Sequence, residues 1–306
     1  MVNIYKPKNE YFPPFVLIND IQAYKHYHLE KYLILYDRFY LNKLFNYKCG
    51  LIQIDNDDIY TEKEISYPII IKKRINLIGM SKDTFTINNR QEYLDWNTSH
   101  EKMKDQFFWS NFHFGNHYST DIVIINGQIK FSCTFYGNKI NNYEFDYWKL
   151  IYNHQINQKI ITIISSNLQD FTGIINYEEI DQKIIEIHLR MGDIYHLSNI
   201  GNSIIKLYKE KIWDYTPKIK NESVNLFTIF EGIVNVKYLT DNYLIDSYMI
   251  EKILSDASYY QSIDSFENFN RIRMMMFKCD NFYSGKRMQK NLRNYIDEQL
   301  KKKTIK

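Results

Sequence analysis

The spacing of apolar and polar positions predicts that helices and strands alternate along the chain. Apolar residues at three- and four-residue spacing predict a helix over residues 20–47, and Gly50 stands where a helix terminator belongs. A short strand is predicted at Leu51–Ile54, and the continuous apolar run Tyr67–Ile71 predicts another. A further helix is predicted to begin in Glu92–Trp96. The first third of the chain is therefore predicted to mix helices with strands.

The middle of the chain carries a strong hairpin signal. Asn126-Gly127 separates the apolar runs Thr120–Ile125 and Ile129–Tyr136, and an Asn-Gly pair between two such runs is typical of a two-residue hairpin turn. The aromatic stretch Phe107–Phe112 is predicted to be extended, whereas Ile156–Ser165 fits either a strand or a helix.

After residue 200 the pattern changes. Val224–Phe230 and Gly232–Tyr238 are predicted to be strands, and Tyr243–Leu254 is predicted to be a helix. Lys286–Leu300 has an apolar stripe at helical spacing, which favours a helix that packs its apolar side against a core.

The segment Phe171–Asp193 reads as a second hairpin and concentrates the polar side chains that could carry chemistry. Because strand residues point alternately to opposite faces, Glu186, His188 and Arg190 are predicted to share one face. A carboxylate, an imidazole and a guanidinium would then lie side by side.

The first strand of this hairpin supplies the partners. With a turn centred on Gln182, Glu178 lies across from Glu186 and Asn176 lies across from His188. Directly opposed side chains have their Cβ atoms about 5 Å apart, so the two carboxylates repel unless a cation or a proton lies between them. Oxygen ligands suit a hard divalent cation and an arginine suits a phosphate, so the hairpin is a candidate metal and phosphate site.

Simpler interpretations of these residues stay open at this stage. Glu186 and Arg190 could form an ion pair on an exposed strand surface, and Asn176 with His188 could be a hydrogen-bonded surface pair. The basic residues 72–74 could equally be a solvated turn.

Composition narrows the class of protein. The 306 residues include 44% hydrophobic and 25% charged residues, which is typical of a globular chain and not of a disordered or membrane-spanning one. A net charge of +3 does not favour nucleic acid as a partner, and the basic run 301–303 is interpreted as a solvated helix end. Three widely spaced cysteines and an N-terminus without an apolar signal segment predict a reducing, cytoplasmic location.

Five blocks, in order along the chain, resemble the ATP-grasp superfamily. They resemble a helix before a Gly-Ile strand, a strand that ends in a phosphate-contacting lysine, a small loop over the phosphates, a hinge strand followed by a G-x-x-x-S-x-D segment, and a metal-binding hairpin. In the same order, these blocks are Asp37–Leu51, Tyr67–Lys72, Gly79–Asp83 with the residues after it, Phe107–Asn126 and Thr172–Gly192.

The resemblance implies an α+β protein with the ATP-grasp fold, in which two α+β subdomains clamp a nucleotide, and with an additional C-terminal α/β extension. It divides the chain into an N-terminal helical segment 1–60, an ATP-grasp core 61–200 and an extension 201–306. It implies a ligase that uses ATP and Mg²⁺, or Mn²⁺, to join a carboxylate to an amine or similar nucleophile through an acyl phosphate. A protein that binds nucleotide without turnover, as a sensor or scaffold, and a kinase-like phosphotransferase are the alternatives. The oligomeric state stays open.

The resemblance also assigns roles to individual residues. The expected metal ligands are Glu186 and His188, with either Glu178 or Asn176 completing the site. The expected catalytic cations are Arg190 and Lys72. The expected nucleotide contacts are Arg38, Lys72, Ser81, Lys82, Trp109, Ser110, Asn111 and Phe112. The chain departs from the family pattern at His188, where the family has an asparagine, and at Lys73, where it has a proline.

Overall fold

The structure is a computed structural model that describes residues 12–27, 32, 34–52, 65–75, 77, 83–141, 144–217, 223–242, 244–262 and 271–302. Ser81 and Lys82 lie outside the described residues. The α-helices are α1 (Asp20–His26), α2 (Arg38–Leu44), α3 (Arg90–Ser99), α4 (Gln158–Asn167), α5 (Gly201–Glu210), α6 (Ile233–Asp241), α7 (Ser247–Ile253) and α8 (Phe282–Lys301). Short 3₁₀ helices cover Ile34–Tyr36, Glu101–Gln106 and Ile194–His196. The strands are β1 (Cys49–Leu51), β2 (Ile69–Lys73), β3 (Thr84–Ile87), β4 (Phe107–Asn111), β5 (His117–Ile125), β6 (Gln128–Lys139), β7 (Phe145–Ile151), β8 (Gly173–Ile180), β9 (Lys183–His188), β10 (Asn225–Gly232), β11 (Tyr259–Ser262) and β12 (Arg271–Cys279).

The chain forms two compact units that alternate along the sequence. The first unit comprises Met1–Val16, Cys133–His154 and Gly192–Lys306, and the second comprises Leu17–Ser132 and Gln155–Met191. All the described residues to which the sequence assigns a role belong to the second unit. The division of the chain into three domains at residues 60 and 200 stays a prediction.

The second unit contains an antiparallel sheet in the order β1-β4-β2-β3. Its apolar side packs on α3, where Ile69, Ile71, Trp96, Phe107 and Trp109 form one buried cluster. The continuous apolar character of β2 and β4 is explained by this cluster, because large side chains on both strands are removed from water together.

Three further strands of the second unit run antiparallel in the order β5-β8-β9. The predicted Asn126-Gly127 hairpin joins β5 to β6, and both turn residues have positive φ, as a two-residue turn of this type requires. The ambiguous segment around Ile156–Ser165 is helical: Asn157 caps α4, and Ile160, Ile163 and Ile164 are buried at helical spacing.

In the first unit the strand order is β11-β12-β10-β7, followed by the part of β6 from Cys133 onward, and α8 packs on this layer. The core of this unit includes Phe227, Phe277, Met288, Leu292 and Ile296. The apolar stripe of the last helix therefore docks against its own core, as the sequence predicts.

A close contact between α8 and β10 makes Gly285 sensitive to substitution. A Cβ atom at Gly285 would lie 1.9 Å from Cε2 of the buried Phe227 ring. We expect Gly285→Ala to lower the free energy of unfolding by about 2 kcal/mol, because overpacking outweighs the better helix propensity of alanine. Gly201→Ala, with nothing within 4 Å of the new Cβ, is the matched control. Equal urea midpoints for the two variants would contradict this packing.

The predicted helix over residues 20–47 is wrong, because α1 and α2 are separate helices with a 3₁₀ turn before the second. The Asp37 carboxylate accepts hydrogen bonds from the backbone N–H groups of Phe39 and Tyr40, so a new helix begins there. Gly50 does not terminate a helix. It lies in β1, where an added Cβ would lie 2.6 Å from Nε1 of Trp109.

The predicted strand Gly232–Tyr238 is also wrong. Gly232 ends β10 and caps α6, in which Val236 and Leu239 are buried while Val234 is 71% exposed. This is the spacing of one helix face, and apolar β-branched residues masked it in the sequence.

Other boundaries shift by a few residues. The first strand is Cys49–Leu51 and not Leu51–Ile54, whose last two residues lie outside the described ones. The second is Ile69–Lys73 and not Tyr67–Ile71, so Lys72 lies inside a strand. The helix predicted at Tyr243–Leu254 begins at Ser247, because the Asp246 side chain accepts a hydrogen bond from the Tyr248 N–H.

Among the residues that the structure describes, none of the helices is both long and apolar enough to cross a membrane.

Candidate metal and nucleotide site

The β8–β9 hairpin brings the predicted pairs face to face. Glu178 pairs with Glu186 and Asn176 pairs with His188, which confirms the expected register. The two turn residues are Asp181 and Gln182, which both have positive φ. An irregularity in the strand pairing beside Glu178 adds one residue, and this places Glu178 opposite Glu186.

Three of the expected metal ligands lie together. One donor atom each from Glu178, Glu186 and His188 can be chosen so that all three atoms lie within 4.8 Å of one another. His188 is buried and the two carboxylates are partly exposed, so water reaches the carboxylates more easily than the imidazole. Two carboxylate oxygens and one imidazole nitrogen can hold a divalent cation and leave positions for phosphate or water.

Asp20, at the start of α1, is a member of this cluster that the sequence analysis missed. Its Oδ1 lies 3.0 Å from His188 Nδ1, and its Oδ2 lies 3.4 Å from Arg190 Nε. Asp20 is only 3% exposed. Burial acts to raise the pKa of its carboxyl group, but the charges of Arg190 and His188 outweigh burial and lower that pKa to about 2.

The His188 ring lies between two carboxylates. Its Nε2 is 3.2 Å from Glu186 Oε1, without the alignment of a hydrogen bond. Burial lowers the pKa of this imidazole, but the charge of Asp20 dominates and raises it to about 9. His188 and Asn176 are both buried, so they are not a surface pair.

Arg38 and Lys72 bring positive charge to the same carboxylates. The Arg38 guanidinium, on the first residue of α2, pairs with Glu186. Burial would raise the pKa of Glu186, but Arg38, then His188 and Lys72, hold it well below its usual range. Lys72 is 8% exposed within β2, so it is not part of a solvated turn.

Arg190 lies among acidic side chains. Burial lowers the pKa of its guanidinium, and the charges of Asp20, Glu178, Asp121 and Glu186 raise it above its ordinary value. Arg190 also donates a hydrogen bond to the carbonyl of Met191. The guanidinium is therefore oriented by the protein beside the candidate metal ligands.

Side chains of β5 support the first strand of the hairpin. His117 Nε2 lies 2.8 Å from Glu178 Oε2, and the Asn176 amide donates to Ser119 Oγ at 3.0 Å and Asp121 Oδ1 at 3.3 Å. Asn176 is thus tied to β5, whereas Glu178 belongs to the three-donor cluster.

The predicted adenine contacts lie on β4 and just after it. Trp109 and Ser110 are buried in the sheet. The backbone N–H of Asn111 donates a hydrogen bond to the carbonyl oxygen of Lys48, and that of Phe112 donates one to the carbonyl oxygen of Pro68. Both N–H groups are bonded within the protein, and a role for this stretch in holding the base stays a prediction.

His113, which follows that stretch, gives a pH-dependent prediction. Burial lowers its pKa to about 4, helped by the charges of Lys72 and Lys183. Between about pH 6.5 and 4 the unfolded state binds a proton that the folded state does not, so stability falls as the pH falls through this window. We expect the free energy of unfolding of His113→Phe to fall by about 1 kcal/mol less than that of the wild type across this pH window. The figure is reduced from the full effect of the pKa shift because His113 is partly exposed. Parallel curves of unfolding free energy against pH for the two proteins would contradict it.

Comparison with known proteins shows that the fold of the chain is similar to that of a solved ligase, a synthase and a carboxylase domain. The sequence matches no protein-family model and no curated protein sequence. The structure is similar to an L-amino acid ligase from Bacillus licheniformis, with a TM-score of 0.59, 11% identity and coverage of 90% of this chain and 75% of that one. A carboxyaminoimidazole ribonucleotide synthase from Aspergillus clavatus, complexed with ATP, has a TM-score of 0.61, 11% identity and coverage of 87% and 74%.

A third similar structure holds a metal nucleotide. The biotin carboxylase domain of a Hydrogenobacter thermophilus 2-oxoglutarate carboxylase, in complex with MgADP and bicarbonate, has a TM-score of 0.55, 9% identity and coverage of 81% and 62%. These proteins are of the ATP-grasp class. The present chain has the ATP-grasp fold, and the expected mixed α and antiparallel β class is confirmed.

Proposed function

We propose that this chain is a ligase that uses ATP and a divalent cation, Mg²⁺ or Mn²⁺, to join a carboxylate to an amine or similar nucleophile through an acyl phosphate. One observation carries the proposal: three cationic side chains lie near three side chains that could bind a cation, all within one unit. The cations are Arg38, Lys72 and Arg190, and the possible ligands are Glu178, Glu186 and His188.

The charges in this cluster suit phosphoryl transfer, in which positioning and electrostatics supply most of the rate acceleration. Lys72 and Arg38 would neutralise a polyphosphate, and the planar donor fork of Arg190 would bind the phosphoryl group that moves. A cation on Glu178 and Glu186 would neutralise further phosphate charge. The carboxylate that attacks and the nucleophile that follows come from the substrates.

Nucleotide binding and turnover test the proposal separately. Calorimetric titration of the full chain with ATP and Mg²⁺, and again with Mn²⁺, should show saturable binding. ADP release should then appear only with a suitable carboxylate and amine, and the mass of the product should show a new amide with free phosphate. No binding at millimolar nucleotide would overturn the proposal, and an added phosphate in the product would indicate a kinase-like reaction instead.

A protein that binds nucleotide without turnover is the second candidate. It is favoured by the engagement of Arg190 with Asp20 and the Met191 carbonyl, and by the pairing of Arg38 with Glu186. This candidate predicts ATP binding and no ADP from any acceptor pair. ADP formation with one defined pair would reject it.

A further inference from the structure

The Nε2 atom of His188 is a buried polar atom that the protein leaves without a hydrogen bond. The residue is 2% exposed, Nδ1 is bonded to Asp20, and Nε2 has no hydrogen-bond partner. Leaving a buried polar atom unsatisfied is costly, and in native proteins such atoms generally have a specific reason. Here Nε2 lies 3.2 Å from Glu186 Oε1, and His188 is clustered with Glu186 and Glu178, which are the other two possible metal ligands. The orientation suits an atom reserved for a ligand.

Asp20 fixes which nitrogen of His188 faces the glutamates. Because Nδ1–H donates to the Asp20 carboxylate, Nε2 is the nitrogen left for a cation, which would displace its proton and bind the lone pair. The Asp20 carboxylate is itself held, since its second oxygen lies 3.4 Å from Arg190 Nε. Histidines that bind metals commonly donate their other N–H to a carboxylate in this way, and that contact sets ring orientation and ligand basicity.

We propose that Asp20 is a positioning residue that presents His188 Nε2 to a divalent cation, so that the site prefers a cation that accepts imidazole, such as Mn²⁺ or Co²⁺, over Mg²⁺. Imidazole suits transition metals, whereas Mg²⁺ takes oxygen ligands almost exclusively. The resemblance puts an asparagine at position 188, and an amide oxygen would suit Mg²⁺. The inference rests on the proposed function only in that the cluster is taken to bind a cation.

The competing explanation is purely structural. His188 would be a protonated bridge between Asp20 and Glu186, and any cation would bind through carboxylate oxygens alone. The two explanations differ in one observable, which is nitrogen coordination of the bound metal.

The test uses the full chain without nucleotide. Mn²⁺ binding is measured by electron paramagnetic resonance, with Mg²⁺ as a competitor, and pulsed measurements report coupling from a coordinated histidine nitrogen. We expect a histidine signal in the wild type and Mn²⁺ binding at least about tenfold tighter than Mg²⁺ binding. His188→Asn should lose the signal and most of that preference. Asp20→Asn should weaken Mn²⁺ binding about 10- to 100-fold, and Asp95→Asn, at an exposed helix position, should change nothing.

The inference would be overturned if Mn²⁺ does not bind the wild-type protein, or if it binds without coupling from a histidine nitrogen. An Asp20→Asn variant that folds and binds Mn²⁺ as the wild type does would also overturn it. If that variant does not fold, the His188→Asn comparison still decides. Binding of ATP in the presence of Mg²⁺ is measured in parallel by calorimetry: its absence beside a positive Mn²⁺ result contradicts the proposed function alone, and its presence beside a negative Mn²⁺ result contradicts the inference alone.

Discussion

Replacing Glu186 with glutamine should lower the rate of ADP release by about a hundredfold to a thousandfold. The variant removes one of the two carboxylates that would hold the cation, and removing a single electrostatic element of a phosphoryl or acyl transfer site typically costs that much. The side chain keeps its size, so the loss reports charge and ligation. Steady-state ADP production with saturating ATP and metal is the measurement.

The matched control lies on the neighbouring strand. Glu179 is 2% exposed and accepts a hydrogen bond from Asn157 at 2.7 Å, and it is not among the three clustered donors. Glu179→Gln should retain turnover within a few-fold. Equal losses in the two variants, or normal turnover in Glu186→Gln, would remove Glu186 from the site.

Folding must be separated from chemistry in this experiment. Arg38 is 6% exposed and pairs with Glu186, so the variant leaves a buried cation without that partner. Breaking a buried pair by removing one partner costs about 3–5 kcal/mol. Thermal unfolding of the variant is therefore measured first. If it does not fold, Glu178→Gln tests the other possible carboxylate ligand, which pairs with His117 and not with Arg38.

The hairpin could be predicted from sequence because its determinants are local. Strand alternation fixes which side chains share a face, and a short polar turn fixes the register to within a residue. The predicted pairs are therefore found opposite each other, Glu178 with Glu186 and Asn176 with His188. Even here the exact turn position was missed, because the irregularity beside Glu178 has no clear signature in the sequence.

The partners of the hairpin could not be predicted in the same way. Asp20 is 168 residues from His188 in the chain, and Arg38 is 148 residues from Glu186. No periodicity links positions so far apart. Asn19-Asp20 reads only as a helix start, and Asn19 does cap α1 by accepting the Gln22 N–H. The contact of Asp20 with His188 follows from how α1 packs in the second unit, which a single sequence does not encode as a pattern.

Replacing Arg190 with lysine should lower kcat about a hundredfold while changing KM for ATP by only a few-fold. Lysine keeps the positive charge that Asp20 and the neighbouring glutamates stabilise. It loses the planar fork that can bond the protein with one edge and a phosphoryl group with the other. The hydrogen bonds that Arg190 donates to Asp20 and to the Met191 carbonyl oxygen hold the guanidinium in a fixed orientation before any ligand binds. An interaction made mainly in the transition state should therefore be lost, which lowers kcat and kcat/KM together.

Arg74→Lys is the control for this prediction, because Arg74 pairs with Asp37 at 2.5 Å and has a 40% exposed side chain. Its kinetic constants should match those of the wild type. A raised KM with an unchanged kcat in Arg190→Lys would show that the guanidinium binds ground state and transition state alike. Its role would then be to hold the nucleotide, and the stabilisation of the transition state would have to come from Arg38, Lys72 and the bound cation instead.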